Sequence, residues 1–232
     1  MSHGITRAHC NKCGDTTHHE VLTSVEQRED YEDHAHYGWS NRFEMLRCRG
    51  CETVTMRRTR HCSSPQISCE VTYYPPAVAR RTPPWAAAPG RLVDPTYNVP
   101  TPICYLMYEI YTAVHNDSRR LAAMGIRAAL ERVMIDKIGS DQGTFKNNTD
   151  AFDKAGYLSV RQRGHIDTIL EAGHAAIHRE WQPSDQDIIT LLDITESVIE
   201  AAYLHDQLSN ALDRKIPPGP RPRRPKRDPT SR

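Results

Sequence analysis

The sequence predicts an α+β chain in which a small antiparallel sheet module is followed by an antiparallel four-helix bundle. Two Cys-x-x-Cys pairs, Cys10/Cys13 and Cys48/Cys51, bracket the first module. Short runs between and after these pairs alternate large apolar with polar side chains, which is typical of strands. From residue 103 onward, apolar residues instead recur every three or four positions, which is typical of amphipathic helices.

The two cysteine pairs have the composition of a four-thiolate zinc site. Each pair places two sulfurs on one tight turn, and two such turns complete a tetrahedron around the metal. The pairs are 35 positions apart (48 − 13 = 35), which leaves room for a strand, a loop and a return strand. We therefore predict a zinc ribbon over residues 1–75, with Cys10, Cys13, Cys48 and Cys51 as ligands. Four thiolates leave no open position for a substrate, so the predicted Zn²⁺ is structural.

Disulfide bonds are the alternative use of these cysteines. The chain has 7 cysteines, an odd number, which excludes a complete disulfide framework. Residues 1–6 show no apolar core of a signal peptide, and no stretch approaches the roughly 18 apolar residues of a membrane helix. We therefore expect a cytoplasmic protein with no membrane partner, in which paired cysteines bind metal more often than they oxidise.

Within the module, the sequence predicts an exposed polar loop at 27–36 and left-handed or tight turns at Gly14 and Gly50. The predicted strands cover residues 18–22, 37–46, 54–58 and 67–74. Seven of the chain's 12 histidines also lie here, and because four thiolates already fill the shell they are interpreted as surface imidazoles.

Prolines divide the rest of the chain. Residues 76–102 form a proline-rich linker in which neither a helix nor a central strand persists, and Trp85 is its one strong anchor to a flanking domain. The helical bundle covers residues 103–212, with Ser184 predicted to cap the last long helix. The predicted helices cover 103–114, 118–138, 160–178 and 184–208, with a shorter amphipathic segment at 145–155.

Two polar pairs lie within the predicted bundle. Arg127 and Glu131 are four residues apart on one helix face, so they form either an exposed ion pair of little energetic value or part of a site. His174 and His178 also share a face. They either bind a metal or share a proton, or they bond local carbonyls at the helix end.

Five motifs together carry a resemblance to a known family: Cys10/Cys13, the run 46–54, the run 74–76, Arg127/Glu131 and the run 173–178. In order and spacing they resemble a bacterial domain-of-unknown-function family that occurs alone and appended to restriction endonucleases. That family is grouped with the HEPN-like helical bundles. The resemblance implies a zinc ribbon followed by a HEPN-like four-helix bundle that pairs as a homodimer through the helices carrying the histidine motif.

HEPN-like proteins include metal-independent ribonucleases whose motif is an arginine followed, four to six residues later, by a histidine. The resemblance carries only the histidine over, as His178, because Gly173 occupies the position of the arginine. His174 stands where asparagine is common, and Arg127 and Glu131 on the neighbouring helix are candidates to complete an altered catalytic site. Imidazole replaces a guanidinium poorly because its charge depends on pH.

The C-terminal segment concentrates positive charge. Although the formal net charge is +1, residues 214–232 carry eight basic residues against one acidic residue. Interleaved prolines, with Ile216 as the one apolar side chain, predict a disordered tail over residues 213–232. Such a polycation binds RNA or DNA without sequence preference, binds the protein's own acidic surface as an intramolecular competitor, or simply keeps the chain soluble. The candidate nucleic-acid contacts are Arg221, Arg223, Arg224, Lys226 and Arg227.

Two functions follow as hypotheses. The first is a non-catalytic or weakly catalytic zinc-binding module that associates with nucleic acid and acts as a regulator in bacterial defence or restriction. The alternative is an active HEPN-like metal-independent endoribonuclease that uses His178 with His174, Arg127 or Glu131. The missing arginine favours the first hypothesis.

Overall fold

A computed structural model describes residues 4–29, 38–86 and 97–217. The N-terminal part is one antiparallel sheet of five strands that lie in chain order. The strands are β1 (Ile5–Cys10), β2 (Asp15–Glu29), β3 (Trp39–Cys48), β4 (Val54–Cys62) and β5 (Glu70–Tyr74). Among the described residues, each strand pairs only with its chain neighbours, and the cysteine turns make the tight connections from β1 to β2 and from β3 to β4.

The sheet curls, and its inner face is the buried one. Leu46 and Cys48 of β3 have no exposed surface, and Ala8 of β1 is 2% exposed. Arg57 of β4 donates across the curl to the carbonyl oxygen of Arg7 at 3.1 Å, which joins strands that are not neighbours in the sheet. A hydrogen bond from an arginine therefore links β4 to β1.

The predicted strands are confirmed in outline, with two corrections. β1 is not predicted from the sequence; it leads into the first cysteine pair and pairs with β2 from Ile5 to Cys10. Residues 27–29 of the predicted loop are instead the end of β2, and residues 30–37 lie outside the described part of the chain. Polar residues occur in this strand because the outer face of an antiparallel sheet is solvated. There, Arg42 Nε donates to Glu26 Oε1 across the strands at 2.9 Å.

Six helices follow the sheet among the described residues. They are α1 (Thr101–His115), α2 (Arg119–Ile138), α3 (Phe145–Lys154), α4 (Val160–His178), α5 (Asp185–Tyr203) and α6 (His205–Asp213). The predicted Ser184 cap is confirmed, since Ser184 accepts from the Asp187 backbone N–H and Asp187 accepts from that of Ser184. The last predicted helix is two helices, α5 and α6, because the chain turns at Leu204.

The linker contacts both parts of the fold. Trp85 is 1% exposed within the core of the helices, which confirms its predicted anchoring role. Arg80 Nη2 lies 2.6 Å from Glu196 Oε2 of α5 and Arg80 Nη1 lies 2.6 Å from Asp193 Oδ1. At the other end, the Asn11 side chain donates to the Pro76 carbonyl oxygen at 2.9 Å. The linker therefore connects the first cysteine turn to α5.

None of the helices in the described ranges combines the length and apolar composition needed to cross a membrane.

Candidate metal centre

The two cysteine turns have matching backbone geometry. Each turn lies between two antiparallel strands, β1–β2 for Cys10/Cys13 and β3–β4 for Cys48/Cys51. The backbone N–H of Gly14 donates to the Cys10 carbonyl oxygen at 2.8 Å, and that of Glu52 donates to the Cys48 carbonyl oxygen at 2.9 Å. In both turns the residue after the second cysteine is left-handed. Because these strands are antiparallel and lie in the order β1-β2-β3-β4, both turns lie at the same end of the sheet.

The four cysteine sulfurs form one cluster in which all lie within 4.8 Å of one another. Cys10 Sγ lies 3.5 Å from Cys51 Sγ, and Cys13 Sγ lies 3.8 Å from Cys48 Sγ. A tetrahedron with Zn–S bonds of about 2.3 Å has sulfurs about 3.8 Å apart, so the cluster fits a zinc ion closely. The structure thus brings together all four predicted ligands, and all four are free thiols. This donor set can hold one metal ion in a closed site.

Hydrogen bonds, neighbouring thiols and burial give the cysteines of the cluster different pKa values. The Thr17 hydroxyl, 3.3 Å from Cys48 Sγ, lowers the pKa of Cys48 to about 5. Interactions with the thiols of Cys51 and Cys10 raise the pKa of Cys13 to about 12, and burial raises that of Cys10. Without a cation, protons therefore remain at Cys10 and Cys13 while Cys48 is a thiolate at neutral pH. Metal binding at these sulfurs would require the loss of those protons, so the affinity would rise with pH.

The two glycines of the turns have different roles. Gly14 has a φ of 75°, as the sequence analysis predicts. In the second turn, the positive φ belongs instead to Glu52, at 63°, and Gly50 is not left-handed. A Cβ at Gly50 would lie 3.9 Å from Cys48 Sγ, which is ordinary contact.

We expect Gly14→Ala to weaken metal binding about tenfold, because a left-handed alanine costs about 1–2 kcal/mol. Gly50→Ala is the matched control and should bind metal within about twofold of the wild type. Competition between each variant and a chelator for zinc measures both affinities. Equal affinities for the two variants would contradict the assigned roles of the turns.

One buried histidine of the module was missed. The sequence analysis interprets the seven histidines of the module as surface imidazoles, but His19 has no exposed surface and lies opposite Cys48 across β2 and β3. Its Nδ1 lies 3.1 Å from the Thr17 carbonyl oxygen, and its Nε2 is buried without a hydrogen-bond partner among the described residues. The signal was the strand alternation, which points only one of the adjacent His18 and His19 inward.

The second candidate site lies at the C-terminal end of α4. The rings of His174 and His178 are 4.6 Å apart between centroids, and both side chains are exposed. Arg179, which the sequence analysis did not consider, places Nη2 at 3.3 Å from His174 Nδ1 and at 2.5 Å from Glu171 Oε1. Helical spacing brings Glu171, His174 and His178 to one face. We call Glu171, His174, His178 and Arg179 the α4 cluster. It contains the guanidinium of Arg179, although the sequence motif lacks its arginine.

Arg127 and Glu131 form a separate pair on α2. Arg127 Nη1 lies 3.9 Å from Glu131 Oε2, and both side chains are partly buried. The stem of Arg127 packs against Gly173, where a Cβ would lie 2.8 Å from Arg127 Cδ. The absence of a side chain at Gly173 therefore leaves space for Arg127 of the same chain. The sequence predicts instead that Gly173 allows a partner helix to approach closely. Among the described residues, no hydrogen bond or ion pair joins Arg127 or Glu131 to the α4 cluster.

The predicted nucleic-acid contacts Arg221, Arg223, Arg224, Lys226 and Arg227 lie outside the described residues.

Comparison with known proteins identifies one family. Residues 108–217, slightly less than half of the chain, match the model of a family described as Domain of unknown function (DUF4145). No curated protein and no solved structure matches the chain. The match covers most of α1 and all of α2 to α6, so the resemblance of the helical part to a domain-of-unknown-function family is confirmed, while the sheet module lies outside the matched residues.

Proposed function

We propose that this chain is a zinc-stabilised module that associates with nucleic acid and acts as a regulator in bacterial defence or restriction, with little or no catalysis of its own. The observation that carries the proposal is the closed cluster of four cysteine sulfurs. A zinc ion there would hold the sheet module together and expose no coordination position to a substrate. The functional surfaces are then elsewhere, on the α4 cluster and the basic tail.

Nucleic-acid binding is proposed for the basic tail. Its charge is suited to phosphate, and it contains no aromatic residue for stacking on bases. Changing Arg221, Arg223, Arg224, Lys226 and Arg227 together to Gln should weaken RNA and DNA binding at least tenfold at about 50 mM salt. The loss should shrink at about 200 mM salt because counterion release drives the interaction. Fluorescence anisotropy with a labelled RNA measures both values, and unchanged binding would leave the tail a solubilising segment.

A ribonuclease is the second candidate, and Arg179 is the observation that favours it. The guanidinium missing from the sequence motif lies next to His174, where it can stabilise the charge that develops on a phosphate. His178 and His174 are then the candidates to accept and donate protons in the reaction. The cluster is exposed, so an RNA strand can reach it.

Incubation of labelled tRNA and mRNA in EDTA tests this second candidate. If the α4 cluster is catalytic, His178→Ala and Arg179→Ala should each reduce cleavage by about 100-fold or more. His165→Ala, an exposed histidine on the same helix, is the matched control and should retain full activity. No cleavage by the wild type would eliminate the ribonuclease and leave the first proposal standing.

A homodimer remains a proposal, and its surface is the exposed face of α4. Ile177 is 44% exposed there, next to His178. Light scattering at micromolar concentration distinguishes a dimer from a monomer of 26.4 kDa.

A further inference from the structure

A groove of about 630 Å³ lies between α4 and α5 and borders the α4 cluster. Its apolar surface includes Ala175 of α4, Leu191 of α5 and the indole of Trp181. The Trp181 backbone N–H donates to the Ala175 carbonyl oxygen at 3.3 Å, directly after Glu180 in a left-handed conformation. The connection between the helices therefore places the backbone of Trp181 beside the groove, and the side chain is part of the groove lining. The volume is within the usual range of ligand sites, about 300–1,000 Å³.

The rim of this groove is acidic. Asp167, Glu171 and Asp187 contribute three carboxylates against two guanidinium groups, since Arg179 pairs with Glu171 and Arg163 Nε lies 3.7 Å from Asp167 Oδ1. The backbone N–H of Ser184 lowers the pKa of Asp187, so this carboxylate is ionised at neutral pH. The surplus carboxylate gives the rim a net negative charge, which favours a cationic ligand.

An aromatic side chain beside carboxylates is the surface that proline-rich basic peptides recognise. Proline rings pack on the indole, while arginine side chains meet carboxylates. The chain itself contains such a sequence: residues 218–232 hold five prolines and six basic residues against the single acid Asp228. This segment follows Pro217, the last described residue.

The reach of the segment is sufficient. Leu191 at the groove lies 12 residues before the end of α5 (203 − 191 = 12), which is about 18 Å, and the nine residues of α6 add at most about 14 Å before the tail. Fifteen residues can span up to about 46 Å when extended. The segment can therefore run back along α5 from the end of the described chain to the groove.

We propose that the basic tail, residues 218–232, docks in the groove between α4 and α5, with proline rings on Trp181 and arginine side chains at Asp167 and Glu171. Docking goes beyond the proposed function because a tail held in the groove is not free to bind nucleic acid. The tail binds either the groove or nucleic acid, since the same guanidinium groups serve both. Bound in the groove, it also covers Glu171 and Arg179 of the α4 cluster.

Photo-cross-linking in the full chain tests the docking directly, without nucleic acid. p-Benzoylphenylalanine replaces Thr168, an exposed residue at the groove, and in a second protein replaces Thr112, an exposed residue of α1. We expect mass spectrometry to find tail peptides cross-linked to position 168 in at least fivefold higher yield than to position 112. Changing the tail residues Arg221, Arg223, Arg224, Lys226 and Arg227 to Gln should remove the cross-links from position 168. Equal yields at the two positions, or cross-links that persist in the Gln variant, would overturn the proposal.

A second variant tests the competition and separates the two proposals. Asp167→Asn with Glu171→Gln removes two exposed carboxylates, and it should reduce the cross-links and tighten RNA binding about threefold or more. Unchanged cross-links in this variant would count against docking. Failure of the wild type to bind RNA would refute the nucleic-acid function alone, because the cross-linking result does not depend on it.

Discussion

Replacing Cys48 by Ser is expected to abolish stoichiometric metal binding and to unfold the sheet module while the helices remain folded. Cys48 Sγ is buried and lies 3.8 Å from Cys13 Sγ, so serine leaves a three-thiolate site with a poor fourth ligand. The inner face of the sheet has few large apolar residues apart from Leu46. Zinc contributes about 10–16 kcal/mol of apparent folding free energy in comparable small modules, which is more than such a face supplies.

The measurement combines metal analysis with two spectroscopic signals. Far-UV circular dichroism near 222 nm should change little, because the helices have their own core around residues such as Ile126 and Leu192. Proteolysis should cleave the sheet module of Cys48→Ser rapidly. Cys62→Ser is the matched control, since Cys62 lies at the far end of β4 and outside the sulfur cluster. A Cys48→Ser protein that resists proteolysis as well as this control would contradict the structural role of the metal.

Trp85→Ala should be the most damaging substitution in the linker and should destabilise the helical part by about 3–5 kcal/mol. The indole is 1% exposed and packs in the same core as the helices, so alanine leaves a large cavity. Its Nε1 also donates to Glu200 Oε1 of α5 at 3.0 Å. Removing the ring therefore detaches the end of the linker from α5 as well as opening the core.

Urea unfolding monitored by circular dichroism near 222 nm measures this loss. Trp85→Phe is the control, because it keeps an aromatic ring in the core and removes the bond to Glu200. We expect it to cost about 1–2 kcal/mol. A cost below about 1 kcal/mol for Trp85→Ala would mean that the linker is a passive connection.

The sequence predicts the metal site better than the sheet around it. Cysteine spacing defines the ligands because chemistry requires sulfur at those positions, whatever the surrounding strands do. The same reasoning places the positive φ at Gly50, yet it falls on Glu52, because the backbone of the turn fixes which position is left-handed and the residue type only lowers its cost. β1 escapes prediction because its buried residues are the small Ala8 and the ligand Cys10, while Ile5, its one large apolar residue, is 60% exposed.

Long-range contacts explain the other differences. The sequence around Arg179 does not show that its guanidinium turns back to His174. That contact depends on the backbone conformation where α4 ends. Gly173 appears from sequence to be a surface for a partner helix, but the stem of Arg127, 46 positions earlier, is packed against it (173 − 127 = 46). By contrast, the Ser184 cap is a local pattern and is predicted correctly.

The metal content of the purified full-length chain tests the central claim most directly. After purification without chelators, mass spectrometric metal analysis should find about one zinc per chain. The content should fall to near zero when Cys10, Cys13, Cys48 and Cys51 are all changed to Ser. A wild-type chain with far less than one metal ion, together with disulfide bonds among these four cysteines, would contradict the account.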